Sequence, residues 1–218
     1  HQIGTLTFSN NVTMNGVSNI MDLNYAGSDF IQVYGNLTAI GTNWFGMYFL
    51  TLFNPGNYNM VHYNGSLTGG LRNMQLTFLA GTRLKAVLGL DTVLKNIFFQ
   101  VNDSGTNLLW VGNGGLNQWD VGLHANWKDN GPPVTTQSDF FNQLDSVHFD
   151  NTSGNKLVGI ASNLWTGKIN VDAGNYTFTN LAGPGQGYLG GGSILYANGG
   201  RLKLLTMNNY FGETVIAS

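Results

Sequence analysis

The stretch that decides the fold is Gly192-Ser193-Ile194-Leu195-Tyr196-Ala197-Asn198-Gly199-Gly200-Arg201-Leu202-Lys203-Leu204-Leu205-Thr206-Met207-Asn208-Asn209-Tyr210-Phe211-Gly212-Glu213-Thr214-Val215-Ile216-Ala217-Ser218. Leu202 and Leu204, then Tyr210, then Thr214 and Ile216 fall on alternate positions. Each short run therefore turns one face toward burial and the other toward water. Asn198-Gly199-Gly200 and Asn208-Asn209 separate the runs, and Gly and Asn are the residues that turn a chain through left-handed conformations at least cost. Strands this short cannot bury a face alone, so each must stack on a neighbour that repeats its pattern.

The same period of two extends upstream. Thr5-Leu6-Thr7-Phe8, Val12-Thr13-Met14, Ile20-Met21-Asp22-Leu23, Phe30-Ile31-Gln32-Val33, Leu37-Thr38-Ala39-Ile40 and Gln75-Leu76-Thr77-Phe78 read as strands. Asn10-Asn11, Asn15-Gly16, Gly35-Asn36 and Gly41-Thr42-Asn43 read as the corners between them. Helix signals are nearly absent, with 31 glycines and no apolar spacing of three and four. A sandwich prefers strands of about five or six residues. Runs of about four residues between tight corners suit a parallel β-helix, an all-β solenoid whose inward Val, Ile, Leu and Phe stack in ladders.

Composition narrows the partners. The chain has 218 residues, 42% hydrophobic but only 9% charged, and a formal net charge of -2. Its wet surface must be polar and nearly uncharged, which leaves no basic footprint for nucleic acid and no polybasic face for anionic lipid. With no cysteine, disulfide scaffolds, thiolate zinc sites and cysteine nucleophiles are excluded. The longest apolar run, Trp44 to Phe53, is interrupted by Gly46 and Thr51 and is too short for a membrane helix; it reads mostly as core. The chain begins at His1 with no signal peptide, as a mature or excised fragment would.

Trp127-Lys128-Asp129-Asn130-Gly131-Pro132-Pro133-Val134-Thr135-Thr136-Gln137-Ser138 holds the one Pro-Pro pair and reads as a loop, because proline cannot donate to a ladder. Strand-like residues resume at Phe140-Phe141 and Val147-His148-Phe149. The loop is therefore expected to be an excursion from a single unit spanning 1–218, with irregular rungs over 1–118.

The C-terminal stretch resembles the passenger-associated transport repeat of bacterial autotransporters. That family's pattern has a Gly-Ser-Leu start, glycines before a Leu-x-Leu strand, then Asn, x, Tyr, x, Gly, x, Thr, x, Ile. Those roles fall on Gly192, Ser193, Ile194, Gly200, Leu202, Leu204, Asn208, Tyr210, Gly212, Thr214 and Ile216. Tyr196 and Asn198 depart, standing where the family usually has lysine and glycine. Trp119-Asp120, Ala125-Asn126-Trp127 and Asp145 to Asn155 look like the leader preceding such repeats, so the resemblance covers Trp119 to Ser218. It implies a right-handed parallel β-helix, exported across an outer membrane through a C-terminal β-barrel that this sequence lacks. Secretion or display at the bacterial outer-membrane surface follows from it, with membrane contact only through that barrel.

No constellation for catalysis stands out, and no enzyme is expected. Asp145 and Asp150 flank His148, but five residues along a strand put them on opposite faces and well over ~10 Å apart. They read as turn or ladder-capping residues, and calcium spacing of the D-x-D-x-D kind is missing. His1, His62, His124 and His148 lack metal-binding spacing, and Gly-x-Ser-x-Gly does not occur. His1 reads as the start of an excised chain, not as a copper ligand. Gly183 to Gly192 is glycine-rich without a following helix or a lysine, and reads as a corner. No metal or cofactor is expected.

Aromatic residues beside turn-formers are the candidate contacts, because Trp and Tyr dominate binding hot spots and stack on sugars. Tyr58, His62 and Tyr63 follow Asn54-Pro55-Gly56-Asn57, and Trp127 precedes Pro132-Pro133. The expectation is a surface module presenting these residues to a host-cell protein or glycan, or to neighbouring bacterial cells. A released effector, a β-helical polysaccharide-degrading enzyme and a spacer stalk are the rivals.

Overall fold

A computed structural model describes residues 2–24, 27–49, 55–77, 82–101, 105–112, 117–130, 138–180 and 187–217. The chain is all-β, with several mostly parallel sheets and no closed barrel. It divides into two compact units, the first comprising residues 1–79 and 84–104, the second residues 80–83 and 105–218. The division thus falls neither at the Pro-Pro segment nor between residues 118 and 119.

In the first unit the chain visits three sheets in the same order three times. Thr5–Phe8, Phe30–Val33 and Gly56–Tyr63 pair in parallel in one sheet. Val12–Asn15, Leu37–Ile40 and Leu67–Thr68 pair in parallel in a second. Ser18–Asn24, Asn43–Phe49 and Met74–Thr77 do so in a third. Met14, Met21, Leu23, Val33, Leu37, Phe45, Met47 and Met60 are buried on the face that alternation assigns to the core, whereas at the ends of the stacks Leu6 and, in the second unit, Thr214 and Ile216 are exposed, because no further rung covers them among the described residues.

The Asn and Gly corners recur with the strands. The Asn36 amide donates to the side-chain oxygen of Asn11, 25 positions earlier, at 2.8 Å. The Ser66 amide donates in turn to Asn36, 30 positions earlier, at the same distance. Gly35 lies so close to Asn11 that a Cβ there would meet its side-chain oxygen at 2.4 Å, which is why the corner takes glycine. Asn43 is fully buried and works across turns, donating to the carbonyls of Ile40 and Asn73 and accepting from the Val17 amide.

The second unit repeats this order of visits. Asn107–Trp110, Ser146–Phe149, Lys168–Val171, Ile194–Ala197 and Thr214–Ile216 pair successively in parallel. Gln118–Trp119, Leu157–Ile160, Asn175–Thr179 and Arg201–Leu204 form a second parallel sheet, and Leu164–Trp165 with Leu189–Gly190 a third. Its core is aromatic: Trp110, Trp119, Trp127, Phe141, Phe149, Tyr176 and Phe178 are all buried in one cluster. Gly212 sits where a Cβ would meet the Ser193 carbonyl oxygen at 2.0 Å, so close approach of consecutive turns dictates glycine there.

The expected loop from Trp127 to Ser138 needs correction at its start. Trp127–Asp129 is a strand, antiparallel to Asn107–Trp110, and Ser138–Asp139 pairs with it on its other side. Residues 131–137, with Pro132 and Pro133, lie outside the described residues.

Candidate interaction surface

Of the four aromatic candidates read from the sequence, three are interior. Trp127 is 0% exposed, with Trp110 at 4.9 Å and Trp119 at 5.2 Å between ring centroids, both edge-on. Its place follows from strand pairing: opposite Trp110 in register, it shares that residue's inward direction. Turn-formers downstream do not decide the facing of a residue already in a sheet.

Tyr58 and Tyr63 are buried for a related reason. Their strand, Gly56–Tyr63, carries a parallel partner on one side and an antiparallel one, Asn96–Val101, on the other. The Tyr58 ring stacks on Phe99 with centroids 5.1 Å apart and planes inclined by 12°. His62 is half-buried and bound at both ring nitrogens, to Asn96 at 2.8 Å and Asn64 at 2.9 Å. Only one of the proposed contacts, His62, therefore reaches solvent among the described residues.

What covers these residues is a hairpin that local strand reading left unassigned. Ala86–Asp91 and Asn96–Val101 pair antiparallel over six residues each. Gly89 stands opposite Phe98, whose ring a Cβ at Gly89 would meet at 2.2 Å. The glycine lets the aromatic ring lie across the strand, a known device for pinning register.

The hairpin's connection is built from local hydrogen bonds. The Asp91 Oδ1 accepts from the Val93 amide at 2.9 Å and from the Leu94 amide at 2.8 Å. Lys95 closes the turn at a φ of 52° and donates its ammonium to the Asn64 carbonyl. These contacts hold Val93 at 86% exposure and Leu94 at 62%. Beside the tip lies a hollow of about 420 Å³ whose wall includes Tyr63, Leu67, Leu90, Thr92 and Lys95.

Several carboxylates and histidines of the second unit are hydrogen-bonded within the fold. Asp145 is completely buried; it accepts from Arg83 at 3.1 Å and from the amides of Thr106 at 3.0 Å and Asn142 at 2.8 Å. Burial pushes its carboxyl above the ordinary range despite those donors. Asp150 caps a turn, accepting from the Thr152 amide at 2.7 Å. Asp120 is buried, accepts from the Leu123 and His124 amides, and is bonded to the His124 ring. Among the described residues no three His, Asp or Glu side chains are placed to hold a metal ion.

On the outward side of the longest sheet, His148, Asn170 and Tyr196 stand side by side in register, half-exposed. His148 is held by Asp172 at 2.7 Å, and the Lys168 ammonium lies 5.6 Å from the Tyr196 ring centroid. This strip is polar, unlike the aliphatic hairpin tip.

No family model, curated protein or solved structure matches this chain. No helix among the described residues is long and apolar enough to cross a membrane.

Proposed function

We propose that the chain forms a right-handed parallel β-helix and serves as a secreted or surface-displayed autotransporter passenger fragment, an adhesin or surface-interaction module. The observation that carries this reading is the recurring register, in which each unit sends the chain through its sheets in a fixed order and pairs successive visits in parallel. Such stacking needs only nearest-neighbour contacts, so a chain can cross a membrane unfolded and then fold by propagation. The spacing of Gly192, Gly200, Leu202, Leu204, Tyr210 and Gly212 adds the family resemblance at the C-terminal end. A chain poor in charge suits contact with a host-cell protein or glycan. The test is saturable binding of the labelled, purified chain to epithelial cells, with a denatured sample as control. Saturable binding supports the reading; binding no greater than the denatured control rejects it.

A further inference from the structure

We propose that Asn11, Asn36, Asn64 and Asn175 are acceptors of N-linked sugar, a modification that stands apart from the surface-interaction reading above. Each opens an Asn-x-Ser/Thr triplet, completed by Thr13, Thr38, Ser66 and Thr177, the pattern that sugar transfer to an asparagine amide uses. Such triplets also arise by chance in a chain rich in asparagine, so the spacing alone decides nothing. The structure adds access to both groups on which the transfer depends. All four asparagines are exposed; Thr13 and Ser66 are exposed with them, and Thr38 and Thr177 are half-exposed. A fifth triplet, Asn151-Thr152-Ser153, lacks that access, because the Ser153 hydroxyl is buried and donates to the Val111 carbonyl at 2.9 Å. A sixth, at Asn102, lies outside the described residues.

The hydrogen bonds leave the reacting atom open. Asn11 and Asn36 tie successive turns together through Oδ1, which accepts the Asn36 and Ser66 amides, each at 2.8 Å. Asn64 engages the His62 ring through Oδ1 at 2.9 Å. None of the four Nδ2 atoms is hydrogen-bonded among the described residues. Sugar carried on Nδ2 therefore keeps the corner bonds, since the substituted amide still offers Oδ1. The donor is a sugar joined through phosphate at its anomeric carbon. Nδ2 bonds to that carbon as the carbon–oxygen bond to phosphate breaks; the phosphate leaves with the electron pair, and the amide proton passes to a base of the transferase. With 9% charged residues and with Ile20, Leu123 and Met207 exposed, the chain has little ionic hydration, and sugars at its corners supply hydration that charge does not.

Peptide mass spectrometry of the chain purified from its native source tests this. Peptides holding Asn11, Asn36, Asn64 and Asn175 are expected to carry a hexose or N-acetylhexosamine on the asparagine. Asn43 and Asn126, buried and outside any such triplet, should be unmodified. Thr38→Ala, made in the same cells, should abolish sugar at Asn36 while leaving the asparagine that ties the turns in place. Unmodified peptides at the four positions overturn the proposal. Sugar that persists at Asn36 in Thr38→Ala overturns it as well, because the triplet would then not direct the transfer. Neither result bears on cell binding, and failure of cell binding leaves the modification standing.

Discussion

The two units use one order of sheets but fill it with different cores. Five of the six methionines, Met14, Met21, Met47, Met60 and Met74, are buried in the first unit, among Leu23, Val33 and Leu37. In the second unit, Trp110, Trp119, Trp127, Phe141, Phe149 and Phe178 interlock, mostly edge-on, with centroids 4.9 to 6.1 Å apart. Methionine is flexible and adapts to irregular gaps, whereas aromatic rings fix one another's orientation. The contrast teaches that parallel stacking constrains facing and period but leaves side-chain volume free to vary.

The units also differ at the end of their stacks. The third visit of the first unit, Gly56–Tyr63, is covered by the antiparallel hairpin of residues 86–101. In the second unit Thr214–Ile216 pairs only with Ile194–Ala197 among the described residues, and Leu202, Leu204, Tyr210 and Ile216 line an open apolar hollow.

The largest expected effect is in the aromatic core. Trp119→Ala should destabilise the second unit by about 4 kcal/mol, since the ring contacts four aromatic neighbours and leaves a cavity they cannot fill. Denaturant unfolding followed by near-ultraviolet circular dichroism checks this; a loss of under about 1 kcal/mol would break the distinction between the two cores.

Next comes Asp145→Ala, which removes the acceptor of the Thr106 and Asn142 amides and leaves Arg83 with Asp139 and the Phe140 carbonyl. A loss of about 3 kcal/mol is expected, at the low end for breaking a buried pair because Arg83 is 31% exposed and keeps Asp139 as a partner. The pH dependence has a definite sign. Since the folded-state carboxyl titrates above its ordinary value, its contribution is fully present below the ordinary carboxylate range and is lost as pH rises through the raised value. Asp145→Asn should flatten that decline in a series of pH-dependent melts.

A smaller effect is expected at Gly89→Ala, where the new methyl meets the Phe98 ring and overpacking by about 2 kcal/mol follows. Hydrogen exchange of the 86–101 amides would show faster opening there, with the rest of the first unit unchanged. Smallest is Met47→Leu, a volume-conserving swap in the adaptable core, expected to shift stability by less than about 1.5 kcal/mol. A larger loss in urea titration would mean that the methionine core is as exacting as the aromatic one.

Much of the local structure was legible. Thr5–Phe8, Phe30–Val33 and Leu37–Ile40 are strands at the expected bounds, and Gly16 and Gly41 turn with φ of 63° and 62° in expected corners. Alternation and glycine chemistry are local, so composition and spacing report them. The contact residues were less legible. Tyr58, Tyr63 and Trp127 looked exposed beside turn-formers, yet each is covered by a strand distant in sequence or paired with one. The hairpin carried a signal, two alternating runs around Asp91-Thr92-Val93-Leu94-Lys95-Asn96, but that turn lacks an Asn-Gly or Asp-Gly pair to mark it.

The sequence by itself determined the all-β class, the strand period, the corners and the absence of cysteine chemistry, because each depends on residues adjacent along the chain. Only the tertiary structure decided which aromatic rings are interior, that Asp145 is a buried tether for Arg83, and that Val93 and Leu94 stand in water. Those properties depend on which strand lies beside which, and pairing energy is set by partners tens of residues away, whose identity no local pattern contains.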